Sequence, residues 1–97
     1  MKVGFLGAGR MATALAKGLI NRSVCGPGQI TAYDVSEDQR RAFSESTGAW
    51  VVDNNAEVAR RADVLIVAVK PAHVAEVLKD VSTAYSKQLI ISIAAGV

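Results

Sequence analysis

The residues with the clearest chemical pattern lie near the amino terminus, in the run GAGRMA at 7–12. This run follows a strand-like segment and precedes a helical pattern, which is the setting in which G-x-G-x-x-G/A binds a dinucleotide. We expect Gly7 to permit a tight turn, Gly9 to let a pyrophosphate approach bare backbone, and Ala12 to let the helix pack closely on the strand. Free N–H groups of the helix would then bind the phosphates. The alternative is a glycine turn needed only for strand-to-helix packing, and it does not explain the second glycine.

Asp34 is the second candidate, because it ends a strand about 20 residues beyond the glycine run, where an acidic side chain takes ribose hydroxyls. Its charge would repel a 2′-phosphate, so Asp34 favours NADH over NADPH unless Arg40 or Arg41 compensates. The alternative for Asp34 is a plain turn residue. For the two arginines we predict a solvent-exposed helix face.

Short β-branched runs alternate with capped helical segments along the chain, which predicts an α/β fold. The expected strands are 2–6, 29–33, 49–52, 64–69 and 89–95, and the third is an edge strand. The first helix runs to about Asn21 with an apolar face of Met11, Leu15 and Leu19 beside Ala12 and Ala16. Capping-box spacings predict further helices that begin at Ser36 and Asn54, and Pro71 opens the last one.

Composition limits the functional class. The 97 residues are 51% hydrophobic and 21% charged, which predicts one folded domain over 1–97. A net charge of +2 argues against a nucleic-acid binder, and the longest apolar run, 64–69, is too short to span a membrane. Residues 1–33 hold four basic and no acidic side chains, so an anionic ligand is drawn there. A lone Cys25, interpreted as an unreactive loop thiol, predicts a cytoplasmic location.

The chain resembles the cofactor-binding domain of the pyrroline-5-carboxylate reductase family. The matching stretches are VGFLGAGRMATALAKGL at 3–19, GPGQI at 26–30, NNAEVARRADVLIVAVKP at 54–71 and ISIAAGV at 91–97. The most particular parts are AVKP at 68–71 and AAG at 94–96, because many dehydrogenases share the glycine motif. The resemblance covers essentially the whole chain and implies a Rossmann-type, doubly wound parallel sheet with strand order 3-2-1-4-5.

The resemblance also implies a set of cofactor contacts but no catalytic residue and no metal ligand. Lys70 is a cation near the ribose or pyrophosphate or else a solvent-exposed strand end, Arg10 lies over the phosphates or in solvent, and His73 is an exposed helix residue. Either Asn54 or Asn55 caps its helix, and the other is free. The implied contacts are Leu6, Gly7, Ala8, Gly9, Arg10, Met11, Asp34, Asn55, Ala68, Val69, Lys70, Pro71, Ala94, Ala95 and Gly96.

By this resemblance the whole enzyme reduces 1-pyrroline-5-carboxylate to L-proline with NAD(P)H, with NADH favoured here by Asp34. The family's helical dimerisation domain, which forms most of the substrate pocket, is not present in these 97 residues. We therefore expect this chain to be inactive alone and to form a homo-oligomer only with that domain. Two alternatives remain: a coenzyme-F420-dependent NADP oxidoreductase domain, and a non-catalytic nucleotide-sensing module.

Overall fold

A computed structural model describes residues 1–93 and contains one parallel sheet of five strands. The order β3-β2-β1-β4-β5 confirms the predicted Rossmann-type topology. The strands are β1 Val3–Leu6, β2 Ile30–Tyr33, β3 Trp50–Val51, β4 Val64–Val67 and β5 Leu89–Ser92. The helices are α1 Arg10–Asn21, α2 Glu37–Thr47, α3 Asn55–Arg61 and α4 Val74–Val81, with 3-10 turns at Pro27–Gln29 and Pro71–His73. None of the described helices is long and apolar enough to cross a membrane.

Two apolar clusters lie on opposite faces of the sheet, because successive side chains of a strand point to opposite sides. Phe5 packs with Phe43 in the cluster under α1 and α2, whereas the adjacent Leu6 packs with Val58 and Val77 under α3 and α4. The central strands β1 and β4 are therefore covered on both faces, as the unbroken apolar run of β4 predicts.

The buried face of α1 differs from the prediction. Ala12 and Ala16 are fully buried, whereas Met11 is 46% and Leu15 is 36% exposed. Small side chains fill the centre of the contact between α1 and the sheet, and Leu19 packs against the same cluster. The predicted apolar face is therefore confirmed at Ala12, Ala16 and Leu19 and wrong at Met11 and Leu15.

The strands are also shorter than predicted. Strand β4 ends at Val67 rather than at 69, β3 has only two residues, and β5 ends at Ser92. Pro71 begins a 3-10 turn, and α4 itself starts three residues later at Val74. The chain after β4 leaves the sheet early to form one side of a cavity. The predicted contacts at Ala94, Ala95 and Gly96 lie outside the described residues.

The two helices predicted from capping boxes each form only one of the two hydrogen bonds of a capping box, the one accepted by the side chain of the N-cap residue. Ser36 Oγ accepts a hydrogen bond from the Gln39 N–H at 3.2 Å, and Asn54 Oδ1 accepts one from the Glu57 N–H at 2.8 Å. The return bonds of a capping box do not form, because the Ser36 N–H donates to Asp34 Oδ1 and the Glu57 carboxylate pairs with Arg60. One-sided caps are sufficient to start both helices.

Candidate functional site

The first turn of the chain, between β1 and α1, depends on the glycine at position 7. Gly7 has φ of +106°, and a Cβ added there would lie 2.8 Å from the carbonyl oxygen of Ala68. The Gly7 N–H donates to the Tyr33 carbonyl at 2.8 Å, which ties the turn to the end of β2. A side chain at this position would meet both backbone strain and a backbone atom.

Gly9, two residues further on, is not required by protein packing. Its φ is −80°, and the nearest atom to an added Cβ is Gln39 Nε2 at 3.8 Å. Gly9 caps α1, whose first turn carries no acidic side chain and whose first N–H groups have no partner within the helix. Bare backbone, a helix N-terminus and open space therefore coincide at one point, which suits a phosphate group.

Asp34 holds the glycine turn against the β2–α2 connection. Asp34 Oδ2 accepts a hydrogen bond from the Ala8 N–H and Oδ1 accepts one from the Ser36 N–H, both at 2.9 Å. Each carboxylate oxygen has a second lone pair, so both remain able to accept a ligand hydroxyl. Sequence reasoning found this residue but missed its bond to the turn.

Arg40 was predicted to lie on a solvent-exposed helix face, but the structure holds it against the end of β2. Its Nη1 donates to the Asp34 carbonyl at 2.6 Å, and the guanidinium lies 5.4 Å from the centre of the Tyr33 ring. The flat guanidinium stacks on the aromatic face while its N–H edge reaches the carbonyl, and these two contacts keep Arg40 from extending into solvent. Arg41 is exposed as predicted and pairs with Glu37 at 3.2 Å.

A cavity of about 460 Å³ opens at the carboxyl ends of β1, β2 and β4. This edge is where open α/β sheets bind ligands, and the volume is typical of small-molecule sites. The predicted contacts that line it are Gly7, Gly9, Asp34, Asn55, Ala68, Val69 and Lys70.

The other described candidates do not line this cavity. Leu6 and Ala8 are buried beneath it, and Met11 and Pro71 are exposed. Arg10 lies in a neighbouring groove of about 350 Å³ between α1 and α2. Gly9 and Gln39 belong to both spaces, so the groove continues from the cavity past the glycine turn.

The structure shows which of the two asparagines caps α3. Asn54 caps α3, and Asn55 is 7% exposed, with Nδ2 donating to Asp80 Oδ2 at 3.3 Å. Asp80 and Glu76 lie one helical turn apart on α4 and both line the cavity. Sequence reasoning missed both, because their spacing places them on one face of a helix but does not say what that face meets.

Charge around the cavity is divided. Lys70 and the N-terminus of α1 are positive, whereas Asp34, Glu76 and Asp80 are negative. His73 lies at the rim of the cavity and is exposed, as predicted.

Cys25 lies elsewhere in the fold, where burial raises the pKa of its thiol. Residues 1–93 contain no group of three or more side chains able to hold a metal ion.

A parallel sheet in the order 3-2-1-4-5, with a glycine turn leading into a helix N-terminus, defines a Rossmann-type dinucleotide-binding domain. The chain belongs to the family described as NADP oxidoreductase, coenzyme F420-dependent, whose profile matches residues 2–96. It is an NAD(P)-binding oxidoreductase domain.

Individual relatives are more specific. Pyrroline-5-carboxylate reductase of Methanosarcina acetivorans is 41% identical over 97 residues, covering 99% of this chain and 36% of that protein. The structure of a pyrroline-5-carboxylate reductase from Coxiella burnetii matches with a TM-score of 0.83 and 35% identity over 98% of this chain and 36% of that one. Plasmodium falciparum pyrroline carboxylate reductase with NADP bound matches with a TM-score of 0.81 and 32% identity, over 96% and 33% of the two chains. This chain therefore spans about a third of the length of these relatives.

Proposed function

We propose that this chain is the NAD(P)H-binding part of a pyrroline-5-carboxylate reductase. The observation that carries the proposal is the glycine at position 9. Its bare Cα borders the cavity beside a helix N-terminus, although the surrounding protein would admit a side chain there. The names of the relatives supply the reaction, and the cavity at the sheet edge supplies room for the nucleotide.

The residues on the two sides of the cavity take different parts in this proposal. The turn at 7–9 and the first N–H groups of α1, Met11 among them, bind the pyrophosphate, with Arg10 above it from the adjoining groove. Asp34 and Asn55 accept hydroxyls, and Lys70 supplies a positive charge on the opposite side. Leu6 and Ala8 are buried beside the glycine turn, Pro71 begins the 3-10 turn that follows Lys70, and Ala68 and Val69 provide an apolar wall.

In the proposed reaction the bound nicotinamide supplies hydride to the carbon of the cyclic C=N bond, the nitrogen gains or retains a proton, and L-proline results. This chain binds and orients the nucleotide, while the imino acid is held by residues outside it. We therefore expect negligible turnover from the chain alone, because positioning of the substrate accounts for a large part of catalysis. A homo-oligomeric state of the whole enzyme and a cytoplasmic location stay predictions.

The preference for NADH over NADPH is also proposed, on the basis of Asp34. Its carboxylate is fixed by two backbone N–H groups at the cavity edge and carries the charge that opposes a 2′-phosphate. Arg40 is nearby but does not line the cavity: its guanidinium donates to the Asp34 backbone carbonyl and stacks on Tyr33, and it forms no ion pair with the Asp34 carboxylate within residues 1–93.

The test of nucleotide binding is a Gly9→Val substitution. We expect titration calorimetry to show binding of NADH and NADPH by the wild-type chain and neither by the variant, because the valine side chain would fill the space of the pyrophosphate. Gly18→Val is the matched control, since a side chain there meets no atom within 4 Å and Gly18 does not line the cavity. Binding by folded Gly9→Val protein, or its absence from folded wild type, would contradict the proposal.

A further inference from the structure

Asn55 is a buried amide that is held at one end only. Its Nδ2 donates to Asp80 Oδ2, whereas its Oδ1 accepts no hydrogen bond within residues 1–93. That oxygen is not sealed inside the protein, because every fully enclosed side-chain polar atom in the described part of the chain has a partner. Since Asn55 lines the cavity, the free oxygen is open to a ligand there.

Asp80 decides which end of the amide remains free. An ionised carboxylate accepts hydrogen bonds and cannot donate one, so it attracts Nδ2 of Asn55 and repels Oδ1. An amide facing a donor would turn the other way. The acidic residue on α4 therefore makes Asn55 present its carbonyl oxygen, an acceptor, and the matching ligand group is a donor such as a hydroxyl.

A second acceptor lies in the same cavity. The Asp34 carboxylate is held by backbone N–H groups and also retains free lone pairs. Two fixed acceptors suit the hydroxyls of a ribose, and neither suits a phosphate dianion, which is itself an acceptor at neutral pH.

We propose that Asp80 is a positioning residue that orients Asn55 to accept a ribose hydroxyl, and that it thereby contributes to discrimination against a 2′-phosphorylated nucleotide. This inference rests on the proposed function and adds to it a residue that does not itself contact the nucleotide. Asp80 acts through Asn55, so its effect must vanish when the Asn55 amide is removed.

The experiment compares Asp80→Asn with Glu76→Gln, each alone and combined with Asn55→Ala, in the 97-residue chain. Both substitutions remove one negative charge from the same face of α4, but only Asp80 bonds to Asn55. With asparagine at position 80 the Asn55 amide can adopt either orientation. Titration calorimetry gives the affinities for NADH and NADPH, and circular dichroism establishes that each variant is folded.

We expect Asp80→Asn to shift the ratio of NADPH to NADH affinity toward NADPH by roughly threefold to tenfold more than Glu76→Gln does, as for other directly contacting pairs. In the Asn55→Ala background the two substitutions should give equal ratios. Equal shifts in the wild-type background, or a difference that persists without Asn55, would overturn the inference while nucleotide binding, and with it the proposed function, stands. If the folded wild type binds neither nucleotide, the inference about Asp80 and the proposed function are both contradicted.

Discussion

The two sides of the cavity are built differently. On the glycine side, residues 7–9 and 34–36, the cavity is bordered by backbone and by a carboxylate that two backbone N–H groups hold with bonds of 2.9 Å. On the α4 side, residues 68–80, it is bordered by exposed side chains such as Lys70 and Glu76, and Asp80 makes a longer bond of 3.3 Å to Asn55. Substitutions of Gly7 and Asp34 on the glycine side should therefore affect folding and binding together, whereas those on the α4 side should affect binding alone.

The largest effect should come from Gly7→Ala. Its φ of +106° and the 2.8 Å approach to Ala68 combine backbone strain with a steric clash, so we expect the free energy of unfolding to fall by about 3 kcal/mol. Urea unfolding measures this, and nucleotide binding should be lost as well. Gly18→Ala is the control and should raise stability by up to about 1 kcal/mol, because an added methyl group has open space in a helix. Equal stability of the two variants would contradict the comparison.

A smaller loss on the same side should follow from Asp34→Ser. The shorter side chain cannot reach the Ala8 and Ser36 N–H groups together, so we expect a loss of roughly 1–3 kcal/mol in unfolding free energy. Affinity for NADH should fall, and the preference should move toward NADPH because the repelling charge is gone. The control is Asp38→Ser, which removes an equal charge from an exposed position of α2. An unchanged NADPH to NADH ratio in Asp34→Ser would refute Asp34 as the discriminating residue.

Lys70→Ala tests the α4 side. Lys70 is exposed and makes no ion pair within residues 1–93, so the unfolding free energy should stay within about 0.5 kcal/mol of wild type. NADH affinity should fall by roughly threefold to tenfold, and its salt dependence should weaken, since an exposed charge is screened by ions. Lys79→Ala, from a part of α4 outside the cavity, is the control. A loss of stability equal to that of Asp34→Ser would remove the distinction between the two sides.

The smallest effect concerns Cys25, which lies away from both sides. Burial raises the pKa of its thiol above the ordinary value of 9.0, so the unfolded chain ionises first as pH rises. Its contribution to stability is therefore complete below pH 9.0 and declines above it. Urea unfolding of wild type and Cys25→Ala across this range should show a steeper alkaline loss for wild type. Parallel curves would contradict a raised pKa in the folded protein.

The sequence predicted the alternation of strands and helices and the glycine turn because both depend on local patterns, whereas the strand order was predicted from the resemblance to a known family. It could not predict the environment of Arg40, since the Tyr33 ring and Asp34 carbonyl meet that side chain only after α2 folds back. Asp80 was missed for the same reason: its partner Asn55 is 25 residues away. Patterns of polarity predict which face of an element is buried, but not which two polar groups face each other.

The close approach of Gly7 to Ala68 also has a consequence for the order in which the protein is made. The glycine turn proposed to bind the nucleotide is synthesised early, yet it is bounded by a carbonyl of a segment that leaves the ribosome much later. Strand β1 pairs with β2 early but with β4 only after residues 64–67 have emerged. Nascent chains stalled before Ala68 should therefore fail to bind nucleotide, since the non-local pairing that completes the turn has yet to form.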